Sequence, residues 1–171
     1  MVRKIVKYGD AVLEARAEPV TEFDTAELHR LVQDMFDSMY AAKGVGLAAP
    51  QIGVSLRVAV IDCSVGENEK DKILLINPEI IHTEGGQNGE EGCLSLPGFR
   101  EDVRRPNLVT ARACNVKGVT FEITGQELLA RALLHETDHL SGRLYLSHVS
   151  ALKRDLIRRK IRKLVKQGEW G

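Results

Sequence analysis

Thr124-Gly125-Gln126-Glu127-Leu128-Leu129-Ala130-Arg131-Ala132-Leu133-Leu134-His135-Glu136-Thr137-Asp138-His139-Leu140 decides the fold. Thr124 to Glu127 has the spacing of a capping box, a helix start in which two side chains satisfy backbone N–H groups. Leu128, Leu129, Ala132, Leu133 and Leu140 then recur at helical intervals and are expected to line the buried side. Gly142 is the expected stop. Within this helix His135 and His139 stand four residues apart, on one face, so both imidazoles can reach a single ion. Glu136 points in a neighbouring direction and can act on a water held by that ion. Together they imply metal-assisted hydrolysis on a core helix.

Working outward, Asp24-Thr25-Ala26-Glu27 also has a capping-box look. Leu28, Leu31, Val32, Met35 and Met39 follow at helical spacing, with Gly44 as a stop. Gly44-Val45-Gly46-Leu47-Ala48-Ala49-Pro50-Gln51 reads as a loop or edge segment. Strands are expected at 57–63, at 72–77 and 79–82 on either side of Pro78, and at 108–115 and 119–123 around the turn Val116-Lys117-Gly118. A last amphipathic helix, about 151–166, carries the stripe Leu152, Leu156, Ile157, Ile161, Leu164 and Val165. Strands in the middle and helices at both ends make an α+β chain.

At 171 residues with no repeat or composition break, one domain over 1–171 is expected. Hydrophobic content of 43% and charged content of 28% fit a soluble globular protein. No apolar run reaches the ~18 residues of a membrane span. The N-terminal decapeptide has neither the apolar core nor the small-residue cleavage site of a signal peptide. A bacterial cytoplasmic location is therefore expected, with an organelle matrix as the other reading. Three cysteines, Cys63, Cys93 and Cys114, argue against a disulfide framework and for reduced thiols. Charge is uneven. From Ser150 to Gly171 there are eight basic and two acidic residues, leaving 16 basic and 22 acidic in the rest. Such a basic tail can meet a polyanion, or it can simply be a solvated helix face.

Two histidines need a third ligand, and a catalytic site leaves a further position open. The residues alone offer Cys93, other carboxylates, His29, His82 and His148. Cys93 lies in Glu90-Glu91-Gly92-Cys93-Leu94-Ser95, where the glycine permits close backbone approach and a thiolate would be a strong, soft ligand.

Three blocks in order, Gly44 to Gln51, Glu91 to Ser95 and His135 to His139, make the chain resemble the peptide deformylases. Ile5-Val6 and Pro19-Val20 also resemble that family's opening strand. Leu134 departs from it, since many members carry Gln there, and a packing change is expected. The resemblance implies mixed, mainly antiparallel β-sheets around a central metal-binding HExxH helix, with an N-terminal helix and a C-terminal amphipathic helix. It implies hydrolytic removal of the formyl group from the N-terminal formyl-methionine of new proteins, with release of formate. Cys93, His135 and His139 would hold one divalent ion, Fe²⁺ by family habit, with Zn²⁺, Ni²⁺ or Co²⁺ as substitutes. Glu136 would be the general base, and the Gln51 amide and Leu94 N–H the oxyanion donors. Val45, Gly46 and Gly92 would bond the peptide backbone. Val45, Leu128 and Ala132 would wall the methionine slot, with Glu91 and His135 at its base. Arg100 would steady the peptide, and Asp138 would hold a ligand or the helix in place. Formylated nascent chains are the expected partners, with ribosomal RNA for the basic helix and neither membrane nor DNA. The competing readings are a zincin-like metallopeptidase, which would need a downstream His or Glu ligand, and a closed structural metal site, which would need a fourth protein ligand.

Overall fold

Thr25, rather than Asp24, caps the first helix: its Oγ1 accepts from the Leu28 N–H at 3.1 Å. Glu27 therefore falls in the first turn, where a negative charge suits the helix dipole, and does not close a reciprocal box. The structure, a computed structural model, describes residues 1–171. In chain order its elements are α1 (Ala26–Ala41), β1 (Gly46–Ala48), β2 (Val58–Ile61), β3 (Ile73–Glu84), β4 (Gln87–Gly92), β5 (Arg100–Arg105), β6 (Leu108–Cys114), β7 (Thr120–Gln126), α2 (Glu127–Leu140) and α3 (Ala151–Lys166). A 3₁₀ turn, Ala49–Ile52, follows β1. No helix is long and apolar enough to cross a membrane.

Five strands form an antiparallel sheet in the order β1-β2-β3-β6-β7, and β4 pairs with β5 as a separate antiparallel ribbon. The fold is thus α+β, as the sequence implied. β2 is buried on both faces because successive side chains alternate sides. Val58 and Val60 meet α1 in a cluster with Leu28, Leu31, Met35, Phe36 and Met39. Ala59 and Ile61 meet α2 in a second cluster with Ala48, Ala111, Ala113, Ala130 and Leu133. Small residues on this second face let α2 lie close to the sheet. Leu134 packs half-buried against the same cluster. A third cluster, Leu96, Val103, Tyr145, Ile157 and Ile161 among others, joins α3 to the β4–β5 ribbon.

Several local expectations are corrected. Pro78 does not divide a strand in two: β3 runs through it, with a register irregularity between Ile76 and Glu79. Asn77 absorbs the bend at φ 52° and bonds both the N–H and the carbonyl of Val20, each at 2.9 Å. Thr124 does not cap α2. It lies in β7, its hydroxyl is 2.7 Å from that of Thr110, and Gln126 occupies the cap without a side-chain bond. α1 is ended by Lys43 in the left-handed conformation, with the Gly44 N–H reaching back to Met39 O at 2.9 Å. No strand forms at 5–6 or 19–20. Val6 and Tyr8 instead donate one bond each, to Gln51 O and Ser95 O, both at 2.8 Å. The stripe on α3 is narrower than its spacing implied. Ile157 and Ile161 are buried, whereas Leu152, Leu156 and Val165 are exposed. The β4–β5 ribbon, poor in apolar residues, carried no strand signal in the sequence.

Candidate metal centre and cleft

The helical register of α2 brings the rings of His135 and His139 to a centroid separation of 4.9 Å. The turn after β4 delivers Cys93 to them. Its Sγ lies 3.3 Å from His139 Nε2, and one ligand atom from each of the three residues falls within 4.8 Å of the others. No other group of His, Cys, Asp or Glu side chains comes together in this way. His29, His82 and His148 are spent elsewhere, on Asp24, Glu84 and Asp138. The downstream His or Glu that a peptidase of the zincin type would use is therefore missing from the rings, as is a fourth ligand to close the site.

The donor set fits a divalent ion. His135 and His139 are buried, and His139 Nδ1 has no hydrogen-bond partner. Burial holds His139 well below the usual histidine range, in the neutral form that binds metal. A thiolate and two imidazoles suit Zn²⁺, Fe²⁺, Ni²⁺ or Co²⁺ and leave a tetrahedral position free.

Glu91 orients this centre. Its carboxylate accepts from His135 Nδ1 at 2.7 Å, from Arg105 Nε and Nη2 at 3.0 and 2.7 Å, and from Arg131 Nη1 at 2.9 Å. The bond to Nδ1 leaves His135 Nε2 for an ion. Burial works against the charge on Glu91, but the bonds from His135 and Arg105 prevail and hold its pKa well below the usual range. Arg105 extends the network to Asp138 Oδ2 at 2.8 Å, and His148 joins the same oxygen at 2.9 Å. The Tyr145 ring stacks near that of His135, centroids 6.3 Å apart. Sequence reasoning missed Arg105, Arg131 and Tyr145. Arg131 had a usable signal, since it lies one helical turn before His135. Arg105 and Tyr145 had none.

Glu136 is 3% exposed, and its Oε2 has no partner. Burial is the main cause that pushes its pKa up to about 7, with His135 opposing. Gly46 lies directly over it: a Cβ at that position would sit 2.5 Å from Glu136 Oε1. Gln51 is buried beside Cys93. Its Oε1 accepts from Ala48 N at 2.9 Å, which turns Nε2 toward Ser95 Oγ at 3.2 Å and Cys93 Sγ at 3.6 Å.

A cleft of about 500 Å³ opens over these groups. Lys43, Gly44, Val45 and Gly46 form one side, and Gly92, Leu94 and the turn from Leu96 to Arg100 the other. Ala132, His135 and Glu136 lie along its floor, with Gln51, Cys93 and Glu91, and Leu128 borders it as well. All the sequence-derived substrate residues thus border one cavity, whereas the metal-set residue His139 lies behind it. Leu128 is exposed at 49% and belongs to the rim rather than the core. Glu91 borders the cleft, but its oxygens face the two arginines and His135. Arg100 is paired only with exposed Glu90, at 3.3 Å.

Comparison with known proteins places these features in context. Residues 2–155 match the family model described as polypeptide deformylase. The peptide deformylase of Acidobacterium capsulatum is 62% identical over 170 residues, 99% of each chain. That of Clostridium botulinum is 50% identical over 149 residues, 87% of this chain and 97% of its own. A crystal structure of the Legionella pneumophila peptide deformylase superposes with a TM-score of 0.90 at 48% identity, covering 98% of both chains. The Thermus thermophilus structure gives 0.89 at 37% identity, covering 99% of this chain and 98% of that one.

Proposed function

The chain belongs to the polypeptide deformylase family, and from that premise we propose a division of labour among the residues of its cleft. The activity is hydrolytic removal of the N-formyl group from N-terminal formyl-methionine. The family is one of metalloenzymes, and the observation that carries the assignment here is the convergence of Cys93, His135 and His139 beside a buried, unpaired Glu136.

Cys93 Sγ and a nitrogen from each histidine would hold the ion. When bound, such an ion lowers the pKa of a water, from ~15.7 toward about 7 in favourable sites, and polarises a carbonyl. Fe²⁺ is our choice on the family resemblance, and the soft thiolate is compatible with it. Glu136 takes the proton as the water attacks the formyl carbon and returns it to the departing amine nitrogen. A carboxyl group with its pKa near neutrality suits both transfers. The oxyanion that develops on the formyl oxygen is met by Gln51 Nε2 and the Leu94 N–H. The Ala48 bond supports this role for Gln51, because it fixes the donor end of the amide toward Cys93. One such donor is typically worth roughly 2.7–4 kcal/mol of barrier.

The peptide adds to the sheet as an extended strand. β1 is an edge strand, paired only with β2, and its other edge borders the cleft. Val45 and Gly46 bond the peptide from that side and Gly92 from the other. The methionine side chain enters between Val45, Leu128 and Ala132, and Arg100 steadies the backbone at the mouth. Formate release from formyl-Met-Ala, with none from its acetylated counterpart and no cleavage of the unblocked peptide, tests the reading. Cleavage of the Met-Ala bond would overturn it.

Three broader points belong to the same proposal. Residues 1–171 act as one domain, supported by the cluster that packs α3 onto the ribbon carrying Cys93. The protein works in a bacterial cytoplasm, where formylated chains are made, as its bacterial relatives suggest. The basic face of α3 docks on ribosomal RNA. Salt-sensitive co-sedimentation with ribosomes, lost on truncation after Ser150, supports that docking, and its absence at low salt would refute it.

A further inference from the structure

The chain reverses after α3. Gly168 adopts φ 71°, and the Glu169 N–H donates back to Leu164 O at 2.9 Å. This turn lays Trp170 against the start of the protein and against the cleft wall at once. The indole N–H donates to Tyr8 O at 2.9 Å. The Trp170 ring meets Phe99 edge-on, centroids 6.1 Å apart and planes at 67°. Lys7 Nζ lies 5.9 Å from the centre of the same ring. Tyr8 in turn donates its N–H to Ser95 O at 2.8 Å, and its hydroxyl accepts from Arg158 Nε at 3.1 Å. Trp170 therefore grips the Cys93–Phe99 turn twice, directly at Phe99 and through Tyr8 at Ser95.

That turn needs outside support. Two backbone bonds lie within it, Leu96 N to Cys93 O at 2.9 Å and Phe99 N to Leu96 O at 3.3 Å. Gly98 adopts φ 84°, and Pro97 and Gly98 are exposed. Phe99 is half-buried and borders the cleft at its outer rim, whereas His135 and Glu136 lie on the buried floor. Trp170 borders no part of the cleft and lies beyond the residues, 2–155, that match the family model.

We propose that Trp170 is a positioning residue for peptide binding: by holding Phe99 and Tyr8 it orders the rim that meets the formylated peptide downstream of its methionine. This rests on the cleft being the peptide site. The physical reason is entropic. An aromatic side chain ordered before binding does not have to be immobilised by the substrate, and an unsupported one does.

The experiment is steady-state kinetics on the full-length holoenzyme with formyl-Met-Ala-Ser and with formyl-Met amide, which stops short of the rim. Trp170→Ala should raise KM for the tripeptide about threefold to tenfold and change kcat less. The effect on formyl-Met amide should be smaller. Trp170→Phe, which keeps a ring against Phe99, should recover most of the loss. Phe99→Ala should reproduce the defect, and Trp170→Ala should add little in that background. An unchanged tripeptide KM overturns the inference, as does an equal effect on both substrates or full additivity with Phe99→Ala. A lowered thermal midpoint with unchanged KM overturns it too, because that is a purely structural role. Failure of the wild type to release formate from either substrate would sink the underlying cleft reading. An active wild type matched by Trp170→Ala sinks this inference alone.

Discussion

His135 Nδ1 lies 2.7 Å from Glu91 Oε2, so the carboxylate two residues before Cys93 sets the orientation of the first histidine of the metal set. Glu91 also neutralises two buried guanidiniums, Arg105 and Arg131. One side chain thereby links β4, β5 and α2 at the point where the ion would sit.

Glu91→Gln should weaken both fold and metal site. It keeps an oxygen for His135 but leaves Arg131 without a counter-charge and Arg105 with Asp138 alone. A buried pair broken on one side costs about 3–5 kcal/mol, and loss of such support typically lowers metal affinity about 10–100-fold. Denaturant midpoints and metal retained against graded chelator measure the two effects. Wild-type values for both would refute this role.

Glu136→Ala and Cys93→Ala should separate. Glu136 touches no ligand atom of the metal set by hydrogen bond, so its loss should leave the metal bound and lower kcat by about 10²–10⁴, the range for a positioned acid–base group. Cys93→Ala should lose metal and turnover together. Elemental analysis beside formate release decides it, and a metal-free Glu136→Ala protein would count against the assignment.

Gly46→Ala should disable the cleft while sparing the fold. The added Cβ falls 2.5 Å from Glu136 Oε1, so the carboxylate must shift. The backbone at Gly46 is an ordinary strand that alanine can adopt. We expect kcat to drop by about tenfold or more, toward the loss seen for an absent base, with the thermal midpoint little changed. Full activity would show that Glu136 does not need its observed position.

Asp62 should make stability acid-sensitive. It is fully buried and accepts from Tyr40 Oη at 2.5 Å, from Ser64 Oγ and N at 2.6 and 2.9 Å, and from Gly66 N at 3.0 Å. Burial opposes its charge, but these bonds prevail and place the folded pKa below that of the unfolded chain. A depressed carboxyl stabilises fully above its unfolded pKa, and the contribution fades as pH falls through the folded value. Denaturation midpoints between pH 7 and pH 3 should therefore fall for wild type more than for Asp62→Asn. Parallel curves would rule this out.

Local chemistry along the chain was enough to determine the α+β class, the helix bearing His135 and His139, and the hairpin around Gly118, because each rests on residues within a few positions of one another. The glycine beside Cys93 and its soft thiolate favoured it over His29, His82, His148 and the carboxylates, but only the family resemblance singled it out. Tertiary structure decided the rest. It put Arg105 and Arg131 on Glu91, carried β3 through Pro78, turned Leu128 to the rim and folded Trp170 back onto Tyr8, 162 residues away in sequence. Periodicity reports which side chains share a face of one element. It carries no record of which distant element that face will meet, and a buried charge or a clamped ring is defined only by that meeting.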